Sequence, residues 1–96
     1  MDYNTSRSII CETLLNMDGN FDMNKVIEIA FHNAPDGISE LEIKLLALNI
    51  VEEMLNVGML RMGVDEKNQK IIYKSDFAKE NDEKTESVAI EPQVEK

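Results

Sequence analysis

Cys11 and His32 are the single cysteine and the single histidine of the 96-residue chain, and a thiol beside an imidazole is the nucleophile–base pair the sequence could assemble. No third group is spaced to orient the imidazole, and Cys11 falls beside the apolar positions of its segment. Both therefore read as structural: a core thiol and a helix-end histidine. Asp18, Asn20, Asp22 and Asn24 alternate as calcium ligands would, yet a calcium loop needs glycine at its sixth position and glutamate at its twelfth, whereas counting from Asp18 puts Gly19 early and Ile29 twelfth. Turn formation and helix capping account for all four. With no glycine-rich phosphate loop and too few ligand-type residues for a zinc site, the chain is expected to be no enzyme and to hold no metal or cofactor.

What remains to act with is charge and amide. Residues 61–74 carry Arg61, Lys67, Lys70 and Lys74 against Asp65 and Glu66, a local excess of cations in a chain whose net charge is −9. With Asn68 and Gln69 between them, these cations suit a hairpin that meets phosphates and offers amides to base edges. The plainer reading is a solvated hairpin whose lysines discourage strand-to-strand aggregation. Residues 1–60 have the opposite character, ten acids against Arg7, Lys25 and Lys44. Indiscriminate binding to nucleic acid or an anionic membrane is not expected of such a chain.

The elements that would position these groups can be read from spacing. Residues 38–60 specify one central helix from about Ser39 to Val57: Ser39 caps, Glu42 reaches back to the cap, Ile38 staples onto Ile43, and Gly58 ends it. At 100° per residue, Glu42, Asn49, Glu52, Glu53 and Asn56 form one outward stripe with Leu45 beside them, and the stripe holds no lysine or arginine. Leu41, Ile43, Leu46, Ala47, Leu48, Ile50, Val51, Met54, Leu55 and Val57 form an apolar arc wide enough to need cover from several directions. Residues 5–17 predict a first helix capped by Thr5 or Ser6. Residues 23–33 predict a second, capped by Asp22 or Asn24, with Met23, Val26, Ile27, Ala30 and Phe31 inward. Residues 59–64 and 70–75 alternate as two strands of a hairpin. Residues 77–96 are polar and charged without apolar period and predict a disordered acidic tail.

Helix, helix, helix and hairpin, with Gly37-Ile38-Ser39-Glu40 entering the third helix, Met54-Leu55 and Gly58-Met59-Leu60 leaving it, and Ile71-Ile72-Tyr73-Lys74 returning, resembles the winged helix-turn-helix superfamily over residues 5–75. The resemblance implies a mainly α fold with a C-terminal β-hairpin (α-α-α-β-β), a third helix in the DNA major groove and a wing on the backbone or minor groove. This third helix would turn carboxylates toward the phosphates, which repel them.

The leading expectation is a 1–76 winged-helix-like domain that binds double-stranded DNA through Arg61, Lys67, Asn68, Gln69, Lys70 and Lys74. It would serve as a transcriptional regulator or a plasmid, phage or other mobile-element accessory factor. The alternative is a protein-interaction module or acidic inhibitor, docking Glu42, Asn49, Glu52, Glu53 and Asn56 on a basic partner. A homodimer burying part of the first or central helix is expected from the wide apolar arc. No apolar run spans a bilayer, the start is not that of a signal peptide and one cysteine implies no oxidising compartment, so a cytoplasmic location is expected. Charge distinguishes the two functions: a basic wing isolated from acidic groups favours DNA, and a neutralised wing favours a protein partner.

Overall fold

Three capped helices lead into one antiparallel hairpin in the computed structural model, which describes residues 1–76; the tail expected at 77–96 lies outside them. The first helix, α1, is Tyr3–Leu15, and its cap is Asp2, whose carboxylate accepts from the Thr5 N–H at 2.7 Å. This corrects the expected cap at Thr5 or Ser6. Ser6 is instead fully buried inside α1, where its hydroxyl donates to the Asn33 carbonyl. The hydroxyl ties α1 to the end of α2, Met23–His32, which Asp22 caps by accepting from the Lys25 N–H.

The third helix, α3, is Glu40–Asn56 and begins as expected. Ser39 Oγ accepts from the Glu42 N–H at 3.2 Å while the Ser39 N–H donates to Glu42 Oε1 at 2.8 Å, so two otherwise orphaned donors are satisfied. Ser39→Ala should cost about 1 kcal/mol in urea denaturation. The helix closes at Gly58, where φ is +84°, a left-handed conformation that costs least without a Cβ.

Strands β1, Leu60–Asp65, and β2, Lys70–Ser75, pair with Met62 opposite Tyr73 and Val64 opposite Ile71. A further backbone bridge was not expected from the sequence. Phe21, between α1 and α2, exchanges both hydrogen bonds with Tyr73, at 2.9 and 2.7 Å. The hairpin is thereby anchored along its β2 side, and its Ser75 hydroxyl donates to the Leu15 carbonyl at 2.6 Å.

The core gathers Ile10 and Leu14 of α1, Val26, Ile29 and Ala30 of α2, the inner face of α3 from Ile43 to Met54, and Phe21, Leu60 and Tyr73. Several apolar side chains expected inside are not there. Phe31 of α2 is exposed, and so are Leu41, Leu48 and Val57 of the α3 arc, because α1 and α2 cover one side of α3 and nothing among the described residues covers the other.

Candidate interaction surface

The wing's cations are largely engaged. Lys70 Nζ lies 2.9 Å from Asp22 Oδ2, and Arg61 Nε meets the Asp76 carboxylate. Asn68 is folded back onto Asp65, donating from Nδ2 at 2.8 Å. Gln69 takes a φ of +53° to close the turn. Lys67 is exposed and forms no ion pair among the described residues. Arg61, Lys70 and Lys74 lie on one face of the hairpin, with Arg61 directly opposite Lys74 and Lys70 opposite Asp65. The residues expected to contact DNA thus fall into two groups, Lys67 to Lys70 at the tip and Arg61 with Lys74 at the base, and Lys70 and Arg61 are matched by carboxylates from outside the strands.

Asp22 serves both elements it joins. One oxygen caps α2 and the other meets Lys70. The Lys70 hydrogen bond, with the Lys25 N–H second, holds the Asp22 carboxyl below its ordinary value of 3.8, and Asp22 raises Lys70 above 10.5. A depressed acid contributes stability that is complete above its unfolded value and lost as pH falls through the folded one. A raised lysine contributes below its unfolded value and loses it as pH climbs through the folded one. The wing anchor is therefore fully present between about pH 4 and 10. Asp22→Asn should flatten the acid limb of a stability–pH curve and leave the cap in place, as read by thermal melts from pH 2 to 7.

The solvent face of α3 has two halves. Toward its N-terminus Leu41, Leu45 and Leu48 line up at helical spacing and are 66%, 50% and 49% exposed. Toward its C-terminus Asn49, Glu52, Glu53 and Asn56 form, with Tyr3 and Arg7 of α1, an open cleft of about 320 Å³. The Arg7 guanidinium binds the Glu53 carboxylate across it. Glu42 belongs to the capping box, so the expected acidic stripe is divided: Glu42 and Glu53 have intramolecular partners, while Asn49, Glu52 and Asn56 face solvent.

Cys11 and His32 are not brought into any bonded arrangement. Cys11 is half-buried on α1, where burial pushes its thiol up, away from the reactive thiolate, against a smaller pull from Arg7. His32 is the exposed last residue of α2. Among the described residues no group of three His, Cys, Asp or Glu side chains is placed to hold a metal ion. No helix there is long and apolar enough to cross a membrane.

Leu45 is exposed beside the outward stripe as expected, whereas the exposure of Leu41 and Leu48 and the two neutralising aspartates were not identified from the sequence. Asp22 was recognisable as a cap, but its second partner is 48 residues away. Comparison with protein-family models, with curated proteins and with solved structures finds no match to this chain.

Proposed function

We propose that the chain is a protein-interaction module built on a winged-helix-like scaffold, with the outer face of α3 as its docking surface. The carrying observation is that face: three half-exposed leucines followed by Glu52 and two amides, where a groove-reading helix would offer cations. Covering each leucine with a partner is worth about 1 kcal/mol, whereas bringing Glu52 to a phosphate costs energy. The partner suited to it presents an apolar patch beside a lysine or arginine. The engaged state of Lys70 and Arg61 supports the same reading, since a phosphate would have to compete with carboxylates already in place.

The test places a photo-crosslinking residue at position 45 in the source cells, with position 28 on α2 as control. One discrete protein adduct is expected from position 45, and it should disappear with Glu52→Lys. Adducts equally strong from both positions would overturn the reading.

A second reading, duplex DNA binding through the wing, is favoured by a specific observation: Lys67 is exposed at the hairpin turn and forms no ion pair among the described residues. Lys67 at the exposed turn would then lead the contact. That reading expects a low-salt mobility shift that Lys67→Glu and Lys70→Glu abolish. No shift with any duplex leaves the protein-docking reading standing.

A further inference from the structure

The outer edge of β1 carries backbone groups whose direction follows from the ladder. Tyr73 exchanges both its hydrogen bonds with Phe21, so it has none for Met62 opposite, and the Asp76 N–H donates to the Met59 carbonyl. Hydrogen-bonded and non-bonded pairs alternate along an antiparallel ladder. Residues 59, 61, 63 and 65 therefore bond β2, and Leu60, Met62 and Val64 turn their N–H and C=O groups outward. Among the described residues nothing pairs with that edge: the sheet is β1 and β2, with Phe21 on the far side. Met62 and Val64 are also 60% and 65% exposed, and Ile71 across from Val64 is 51% exposed.

We propose that this edge pairs antiparallel with the same edge of a second copy, about a two-fold axis at Gly63. In that register Met62 of each copy lies opposite Val64 of the other, and these are the residues whose backbone groups point outward, so four intermolecular hydrogen bonds follow. Arg61 lies opposite Asp65 of the other copy, twice over by symmetry. Arg61 meets Asp76 through Nε, and a guanidinium has further donors on its Nη atoms. Gly63 meets Gly63 at a non-bonded position, the closest approach in an antiparallel ladder.

The other registers that keep the outward groups paired lose the charge match, although the one centred on Met62 would form six backbone bonds. Moving the centre to Met62 sets Arg61 opposite glycine and Asp65 opposite Met59. Moving it to Val64 sets Arg61 opposite Lys67. Charge complementarity thus selects both the occupant and the register. The two-fold stands perpendicular to the sheet, so both helical bodies lie on the same sheet face at opposite ends. Val64 and Ile71, on the face that Leu60 and Tyr73 bury at the base, project toward the side where the partner's helices lie. This contact differs from the helical interface expected from the sequence.

Sedimentation velocity on the full chain tests it. The wild type should sediment as a dimer; Arg61→Asp and Asp65→Arg should each weaken self-association at least tenfold, and the double exchange should restore it. Gly63→Cys in a Cys11→Ser background gives a second reading that does not depend on charge. A Cβ at Gly63 meets nothing within 4 Å, so the fold tolerates it. Two such cysteines would have Cα atoms about 4.5 Å apart, within disulfide reach, and should cross-link on mild oxidation. A monomer throughout, occupied by the chain's own tail or by nothing, overturns the proposal. So does a dimer that ignores both charge reversals but is lost with Leu45→Glu, which would assign the contact to α3.

Discussion

Phe21→Ala is expected to remove about 3–5 kcal/mol from the unfolding free energy, a large share of the roughly 5–15 kcal/mol that a domain of this size possesses. Phe21 is 6% exposed, and its ring lies 6.1 Å from that of Tyr73 at a 42° tilt. It holds the hairpin to the helices in two ways, through backbone exchange with Tyr73 and through ring contact. Truncation to alanine keeps the first and leaves a cavity where the second was. Urea denaturation would measure the loss, and amide exchange would locate it: the Tyr73 N–H, which donates to the Phe21 carbonyl, should lose protection ahead of the α3 amides. Phe21→Leu, which refills most of the space, should cost under about 1.5 kcal/mol. A loss below about 1 kcal/mol for the alanine variant would mean that the hairpin is held elsewhere.

The residue with that expected effect had no signature in the sequence. A strand announces itself by alternation over several residues, and Phe21 is a single bridging residue between a turn and a cap. The start of α3, by contrast, was readable because Ser39 and Glu42 carry their own reciprocal chemistry within four residues. The hairpin was readable because Leu60, Met62 and Val64, and then Ile71 and Tyr73, recur at every second position on either side of the polar segment 65–70. The caps of α1 and α2 fared differently for a local reason. Asp22 is flanked by a turn, whereas Thr5 and Asp2 both suit the role, and the helix extends to Asp2 because Ser6 is needed inside to hold Asn33.

The interaction surface was legible only in part. Its composition identified the wing cations, but whether a lysine is free depends on carboxylates distant in sequence, as Asp22 is from Lys70. The wide apolar arc of α3 raised a different problem. Periodicity places residues around a helix but does not say which arc the neighbours cover. With α2 packed most extensively on α3 and α1 bringing Arg7 and Tyr3 over its C-terminal half, the arc through Leu41, Leu45 and Leu48 was left outside.

That partition of α3 predicts opposite responses from two neighbouring aliphatic residues. Ile50 is fully buried between helices, so Ile50→Ala should cost about 2–5 kcal/mol from lost burial and the residual cavity. Leu45 is half exposed on the far side, so Leu45→Ala should change stability by no more than about 0.5 kcal/mol. Both are truncations of a four-carbon side chain to a methyl in the same helix, so propensity and unfolded-state effects nearly cancel between them. One is buried and the other faces solvent, and the double variant should be additive to within about 0.5 kcal/mol. A Leu45→Ala cost approaching that of Ile50→Ala would mean that the leucine stripe is covered in solution, by a second copy or by the chain itself. A neutral Leu45→Ala establishes something further: replacing this side chain does not disturb the fold, so adducts from a photo-crosslinking residue at position 45 report on the surface and not on a perturbed core.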